Sequence, residues 1–284
     1  SLALPQYAIA QDDSRITLTV DAGFDGFYTQ SDAVPVYVTV ANAGTAVNGE
    51  LRITLKVGFN EELTYRTPVA LATQSNKRIP LPVQIASPAT ALTVELWEGD
   101  KLVAAQRSGT LELMPDDAFL YGIVTPTAGD FDFLGGVNGR FSRAEVAYLN
   151  LADLPEITPV WNGLDMLILD DVDTATLTTE QRAALSRWLE NGGQLLVTGG
   201  AGWQKTTAVF TNILPVTVND VQSIDDLSSL SKQFVIPFRD EGPYLLSNST
   251  VQAGGDLLLH QDGQPILAHR PIGAGHVYFL ALDP

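Results

Sequence analysis

The stretch Gly163–Trp203, GLDMLILDDVDTATLTTEQRAALSRWLENGGQLLVTGGAGW, predicts a strand, a helix and a second strand in succession. The continuous apolar run MLIL ends in two aspartates and is typical of a buried strand. Thr178, followed three residues later by Gln181, has the spacing of a capping box at a helix start. Asn191 and Gly192 end the helix, because glycine accepts the left-handed conformation that closes it. The second run, QLLV, is also apolar, so we expect parallel strands with a right-handed crossover.

The rest of residues 116–284 continues this pattern. FLYGIVT (Phe119–Thr125) and AEVAYLNL predict two further buried strands, and DLLLHQDGQPILAHRPIGAGHVYFLAL predicts three strands joined by tight turns. Between them, Thr211–Thr250 is polar, and we expect a long irregular insertion with a short helix around Ile224–Ser231. Together the patterns predict an α/β domain with a mostly parallel sheet and an antiparallel C-terminal meander.

Residues 1–115 have a different period. From Arg15 to about Met114, seven strand-like runs alternate apolar and polar residues, and turn residues separate them about every dozen positions. Such a series predicts an all-β sandwich of immunoglobulin type (Ig-like). LMPDDAFL, with Pro115 and two aspartates, then predicts a short linker. We therefore expect two domains, residues 1–115 and residues 116–284.

Composition narrows the possible functions. The chain has 284 residues, no cysteine and a formal net charge of −17. So acidic a surface repels phosphate backbones, which argues against nucleic acid as a partner. Without cysteine there are no disulfides, no thiolate catalysis and no cysteine-ligated metals. The apolar runs are far shorter than the roughly 20 residues of a membrane-spanning helix.

The pattern LT..Q..AL..W...GG.L...GG within Gly163–Trp203 and the final G.G.VYFLALDP within Gly273–Pro284 carry a family resemblance. The chain resembles bacterial membrane-anchored proteins that join an Ig-like sandwich to a class I glutamine amidotransferase-like domain lacking the catalytic cysteine. The resemblance implies a flavodoxin-like α/β domain, and an extracytoplasmic location with membrane helices outside this sequence. SLALPQYAIAQDD at the start fits the tail of a secretory signal.

The resemblance also implies a place for a site. In such sheets ligands bind outside the carboxyl ends of the strands. The expected cleft has an acidic side and a glycine-rich side, formed by Asp170, Asp171, Asp173, Thr198, Gly199, Gly200 and Trp203. True amidotransferases keep a cysteine on the elbow that corresponds to Thr198–Gly202, and a His-Glu pair later in the chain. Here the elbow has no cysteine, so glutaminase activity is excluded and no catalytic residue is predicted.

Other chemistries have weaker support in the residue patterns. The elbow matches neither a dinucleotide fingerprint nor a P-loop, which argues against phosphate binding. The aspartates of DDVD suit a hard cation by ligand type, but aspartates after a strand more often cap loop amides. Two of His260, His269 and His276 can meet across adjacent strands, yet they lack a zinc-site spacing. No G-x-S-x-G elbow is present. Trp203 either covers the sheet edge or stacks on a sugar.

These observations predict a non-catalytic extracytoplasmic part of a membrane-anchored protein, acting in ligand recognition or scaffolding at the cell envelope. We expect no metal and no cofactor, an unknown protein or glycan as partner, and membrane contact only through segments outside this sequence. Two alternatives stay open. One is a metal-assisted hydrolase that uses Asp170, Asp171 and Asp173. The other is a glycan-binding or peptide-binding module that uses Trp203 and residues 211–250.

Overall fold

The computed structural model describes residues 15–30, 32–58, 61–137, 142–228, 230–231 and 242–282. The predicted secretory-signal tail therefore lies outside the described residues. The chain divides into two compact units, Ser1–Met114 and Pro115–Pro284.

The first unit is built of strands. They are β1 (Ile16–Ala22), β2 (Phe27–Tyr28), β3 (Ala33–Val34), β4 (Val36–Asn42), β5 (Val47–Lys56), β6 (Glu62–Leu71), β7 (Ser75–Pro80), β8 (Val83–Gln84), β9 (Thr93–Glu98), β10 (Lys101–Arg107) and β11 (Glu112–Leu113). Two antiparallel sheets dominate, with strand orders β1-β4-β7 and β10-β9-β5-β6. Two short pairs, β2 with β11 and β3 with β8, complete the unit.

Alternation of side chains explains why these strands form two packed layers. β1 and β4 bury every second residue, so each presents one apolar and one polar face. Val38 and Val40 of β4 and Leu51 and Ile53 of β5 are fully buried and belong to one core. Burying each such side chain contributes about 1.5–3 kcal/mol, so the shared core holds the two sheets together.

The second unit combines a large sheet with few helices. Its strands are β12 (Phe119–Val124), β13 (Ala144–Tyr148), β14 (Met166–Leu169), β15 (Gln194–Thr198), β16 (Val216–Ile224), β17 (Tyr244–Val251), β18 (Asp256–Gln261), β19 (Gln264–Ile272) and β20 (Gly275–Leu280). Its α-helices within the described residues include α1 (Thr158–Trp161), α2 (Thr179–Glu190) and α3 (Trp203–Thr206). Short 3-10 turns span Asp132–Gly136, Leu151–Asp153 and Thr174–Thr176. Within the described ranges, no helix combines the length and apolar character needed to cross a membrane.

The seven-stranded sheet has the order β13-β12-β14-β15-β20-β19-β18. β12 pairs in parallel with β13 and β14, and the parallel pairing continues through β15 to β20. β19 runs antiparallel to both β20 and β18. The sheet is therefore mixed, with an antiparallel edge.

One face of this sheet lies beneath α1 and α2. α2 begins with the predicted capping box: the Thr178 hydroxyl accepts from the Gln181 amide at 3.0 Å, and the Gln181 side chain accepts from the Thr178 amide at 2.9 Å. The two helices pack through Trp161 and Trp188, whose ring centroids are 5.3 Å apart, and α2 also packs on β20. Strand side chains on this face, such as Leu167, are fully buried.

The opposite face is covered differently. β13 lies on the other side of β12 from β14, so a right-handed crossover from β12 to β13 passes over this opposite face. The described part of that crossover contains only the 3-10 turn Asp132–Gly136, with Phe131 packed on Ile123 and Ile168. Many side chains on this face, including Tyr121 and Met166, are consequently only partly buried.

The predicted fold class is wrong, because the chain is mostly β. Strands hold 48% of the structure and helices 14%, spread over several sheets, so a flavodoxin-like α/β domain with a parallel sheet is not what forms. A doubly wound sheet needs packed helices on both faces. Among the described residues, the only helix longer than one turn is α2, and the face over the β12-to-β13 crossover has a 3-10 turn instead.

The predicted irregular insertion at 211–250 is also corrected. β16 and β17 form an antiparallel hairpin. Ser228, Leu230 and Ser231 are helical, within the range where a short helix is predicted, whereas residues 232–241 lie outside the described part. The sequence does not indicate these strands, because they are mostly polar and partly exposed and therefore lack an apolar alternation.

The capping box allows a direct test. We expect Thr178→Ala to lower the free energy of unfolding by about 1 kcal/mol, because the Gln181 amide loses its acceptor at the helix start. Urea denaturation followed by circular dichroism measures this change. The matched control is Thr179→Ala, one residue inside the helix, which is expected to be neutral or slightly stabilising because alanine has the higher helix propensity. Equal losses in both variants would contradict the capping role.

Candidate functional site

Asp170 follows β14 directly and lies among the ends of three neighbouring strands. Its backbone amide donates to the Val124 carbonyl at 2.9 Å. Its side chain accepts from the Thr198 hydroxyl at 2.6 Å and from the Thr125 hydroxyl at 2.9 Å, one on each carboxylate oxygen. The residue is only 6% exposed. Asp170 therefore links the ends of β12, β14 and β15, and each of its carboxylate oxygens accepts a hydrogen bond within the protein.

Asp171 turns away from Asp170. Its backbone is in the left-handed region, with φ of 46°, and its Oδ1 lies 3.0 Å from Nζ of Lys205 in α3. The side chains are 38% and 46% exposed, so the ion pair contributes at most about 1 kcal/mol. Gly202 makes this approach possible, because a Cβ there would lie 1.7 Å from the Asp171 carboxylate oxygen. The loops after β14 and β15 thus meet through Asp171 and Lys205.

Asp173 caps its own turn. Its carboxylate accepts from the Ala175 amide at 3.1 Å, at the start of the 3-10 turn Thr174–Thr176. The hydroxyl of the fully buried Thr174 lies 3.0 Å from the Lys205 carbonyl oxygen and ties this turn to α3. Asp173 therefore acts here as a cap, the interpretation that the sequence favoured.

The three aspartates do not converge on one point. Asp170 points into the strand ends, Asp171 towards Lys205, and Asp173 towards its own turn. Across the described residues there is no cluster of three or more His, Cys, Asp or Glu side chains arranged to hold a metal ion. At this rim the three aspartates therefore do not meet at one position where all three could bind a metal ion.

Gly199 is covered by a strand from the hairpin. Its amide donates to the Leu280 carbonyl at 2.7 Å, and a Cβ on it would lie 2.4 Å from the Ser247 hydroxyl oxygen and 2.9 Å from the Ala281 carbonyl oxygen. The Ser247 amide in turn donates to the Ala281 carbonyl at 2.8 Å, and Leu246 forms an isolated bridge with Leu282. β17 therefore closes over the carboxyl ends of β15 and β20, where a cleft was expected.

Two serines of β17 carry polar atoms that the sequence did not single out. Ser247 and Ser249 are 0% and 5% exposed, and their hydroxyl oxygens have no hydrogen-bond partner within the described part of the chain. Buried hydroxyls without a partner are uncommon and cost stability. Of the two, Ser247 lies beside Gly199, where protein atoms fill the space at the strand ends.

Gly200 and Trp203 complete the predicted set. Gly200 has φ of 71°, a conformation that requires glycine, and its carbonyl accepts from the Trp203 amide at 3.4 Å as α3 begins. Trp203 is partly buried. The elbow glycines thus serve backbone geometry, and whether Trp203 contacts a ligand stays a prediction.

A histidine pair lies away from this rim, on β19 and β20. His269 Nε2 and His276 Nδ1 are 2.8 Å apart. Two of the three histidines therefore meet across adjacent strands, as the sequence allows. That hydrogen bond needs at least one of the two nitrogens unprotonated. Asp256 lies 3.8 Å from His269, and burial raises the pKa of the adjacent Tyr278. His260 lies elsewhere on β18, opposite Pro265.

Comparison with known proteins finds two family models and distant structures. A domain of unknown function, DUF8726, matches residues 15–110, and a second, DUF7408, matches residues 147–282. Neither description mentions an amidotransferase or a membrane anchor, so that resemblance stays a prediction. No curated protein matches.

Solved structures resemble the chain only remotely. Two cytoplasmic proteins from Salmonella typhimurium match with 16% and 14% identity, each covering 58% of this chain and 87% of their own, at a TM-score of 0.42. An exo-beta-1,4-mannosidase from Opitutaceae bacterium strain TAV5 matches with 14% identity over 57% of this chain and 31% of its own, at a TM-score of 0.36. Scores this low do not establish a shared fold or a shared activity.

The contacts of Asp170 give a stability prediction. We expect Asp170→Asn to lower the free energy of unfolding by about 1–3 kcal/mol, because the amide nitrogen replaces one acceptor and leaves a buried threonine hydroxyl poorly paired. Asp173→Asn is the matched control and should change it by only a few tenths of a kcal/mol, roughly, since asparagine caps about as well as aspartate. Urea denaturation measures the free energy of unfolding of both variants. An Asp170→Asn variant as stable as the wild type would contradict the structural role of Asp170.

The closed strand ends give a second prediction. We expect Gly199→Ala to destabilise the fold by about 1–3 kcal/mol, because the added methyl group meets Ser247 and the Ala281 carbonyl. Adding Ser247→Gly should restore part of the loss, since it removes the nearest clash. Gly136→Ala, where a Cβ meets nothing within 4 Å, is the control. Unfolding midpoints in urea measure all three, and a wild-type midpoint for Gly199→Ala would mean that β17 does not close this edge.

Proposed function

We propose that this chain is a non-catalytic part of a cell-envelope protein and acts in ligand recognition or scaffolding. The observation that carries the proposal is the state of Asp170: both of its carboxylate oxygens accept hydrogen bonds from threonine hydroxyls in a buried setting. A general acid or base needs an atom within hydrogen-bond reach of the substrate. Asp170 is only 6% exposed and each of its oxygens already accepts a hydrogen bond, which favours a structural role over acid–base chemistry.

The neighbouring groups support the same interpretation. Asp171 pairs with Lys205, and Asp173 caps a turn. An activated nucleophile needs a base beside it that is itself held by a third group. The side chains at this rim contact backbone and each other in ways that hold loops in place.

Location and partner are part of the proposal. The resemblance to membrane-anchored envelope proteins supports an extracytoplasmic position, with any membrane contact made by segments outside this sequence. The net charge of −17 supports a protein or a glycan as partner over nucleic acid, because like charges repel a phosphate backbone.

Metal titration tests the hydrolase alternative. We expect Mg²⁺, Ca²⁺ and Mn²⁺ to give no saturable heat in calorimetry and no rise in melting temperature. A metal bound at 100 times its Kd would add about 2.7 kcal/mol of stability, a shift that thermal denaturation detects easily. The Asp170→Asn/Asp171→Asn double variant is the comparison, and it should respond to the three metals as the wild type does. Saturable binding that this variant loses would contradict the proposal, as would metal-dependent hydrolysis of p-nitrophenyl phosphate or p-nitrophenyl acetate.

A further inference from the structure

An open depression of about 670 Å³ lies on the polar face of the sheet β10-β9-β5-β6 in the first unit. Three small residues, Gly49, Ala70 and Gly99, line it, and Ala70 and Gly99 leave it open because they have little or no side-chain volume. Gly49 is also required by the backbone, since a Cβ there would lie 2.2 Å from the Trp97 carbonyl oxygen. The depression is thus a product of the strand packing itself.

Strand register places an aromatic ring and charged groups side by side in this depression. Glu50 on β5 lies opposite Trp97 on β9 and opposite Pro68 on β6. The next row on the same face holds Arg52 with its neighbour Glu95. The depression therefore has apolar surface from tryptophan and proline, and polar atoms from a carboxylate and a guanidinium.

The polar groups hold the tryptophan in position. The Arg52 guanidinium lies over the Trp97 ring, 4.8 Å from its centroid, and also pairs with the Glu50 carboxylate. The indole nitrogen of Trp97 donates to Glu95 at 2.8 Å, and Arg66 reaches Glu50 at 3.5 Å. With its ring fixed by two contacts before any ligand arrives, Trp97 loses little freedom on binding.

Charge in and around the depression selects the class of ligand. Arg52 and Arg66 balance Glu50 and Glu95, so neither an anion nor a cation is favoured. A hydroxyl both donates and accepts, and neighbouring hydroxyls can therefore bond a carboxylate and a guanidinium at once. The C–H face of a sugar ring offers apolar surface to Trp97 and Pro68. Pockets of this size, with an aromatic wall and a few placed polar groups, suit a small ligand.

We propose that this depression, centred on Trp97, binds a neutral carbohydrate. The inference rests on the proposed recognition function and gives it a ligand class and a place. It differs from the sequence-based glycan alternative, which relied on Trp203 and residues 211–250.

A peptide fits this place less well. β6 is the edge strand of its sheet, and a peptide that adds to an edge needs the backbone donors of that strand. Pro68 has no amide hydrogen and interrupts that row of donors next to the depression.

The test uses the intact chain and neutral oligosaccharides. Cellohexaose, xylohexaose, mannohexaose and maltoheptaose are titrated while tryptophan fluorescence is recorded, and calorimetry confirms any response. The chain has four tryptophans, of which Trp161 and Trp188 are buried, so a ligand reaches only Trp97 or Trp203 directly. We expect at least one oligosaccharide to bind, and Trp97→Ala to weaken it by about tenfold or more, as for an aromatic anchor.

Two variants make the result specific. Trp203→Ala is the matched control and should bind as the wild type does. Glu50→Gln keeps the side-chain size and replaces a carboxylate oxygen with an amide group, so it should also weaken binding. If circular dichroism shows that Trp97→Ala does not fold, Glu50→Gln is the decisive variant. Binding that survives both Trp97→Ala and Glu50→Gln, or that Trp203→Ala abolishes, would overturn the proposed place.

The remaining outcomes separate this inference from the proposed function. No binding of any of the four oligosaccharides at millimolar concentration overturns the carbohydrate site and leaves the non-catalytic function standing. Binding of hexagalacturonic acid or of a neutral hexapeptide, without binding of any of the four neutral oligosaccharides, also overturns the proposed carbohydrate site. Chromatography of the incubated oligosaccharides tests whether the protein cleaves them. Cleavage that depends on Trp97 would support the carbohydrate site and contradict the non-catalytic function.

Discussion

The buried carboxylate of Asp170 is the constraint on which the second unit depends. A charge taken out of water is costly unless hydrogen bonds replace the lost solvent. Thr125, directly after β12, and Thr198, at the end of β15, supply those bonds, so the carboxyl ends of β12, β14 and β15 must stay together for Asp170 to keep them. The same arrangement engages both carboxylate oxygens in hydrogen bonds that hold the strand ends together.

The glycines around Asp170 follow the same logic. Gly199 and Gly202 are small because Ser247 and the Asp171 carboxylate occupy the space that a side chain would need. β17 then packs over Gly199 through the bond from Ser247 to Ala281. β17 therefore covers strand ends that an open sheet leaves free for ligands. In the first unit Ala70 and Gly99 have the opposite effect, since they leave a depression open beside Trp97.

Local elements of the fold were predictable, and their assembly was not. The capping box at Thr178 and the end of α2 before Asn191 are confirmed, because both depend on contacts within a few residues. The strands at 119–124 and 194–198 are confirmed for the same reason. The flavodoxin-like class failed because periodicity within a strand does not reveal whether each crossover is a helix or a 3-10 turn. The residues of the predicted rim lie at or after strand ends, and their role as a ligand cleft stays a prediction. Their partners, Thr125, Lys205 and Ser247, come from distant positions and have no sequence signal.

The sequence by itself determined the apolar strands, where the long helix starts and stops, and that no thiolate chemistry is possible in a chain without cysteine. Those properties follow from side-chain volume, backbone preference and the presence or absence of an atom. Only the tertiary structure decided what the aspartates do, because the role of a carboxylate depends on which donors surround it. It also decided that the strand ends are covered and that Trp97 borders an open depression, since both depend on packing between residues far apart in the chain.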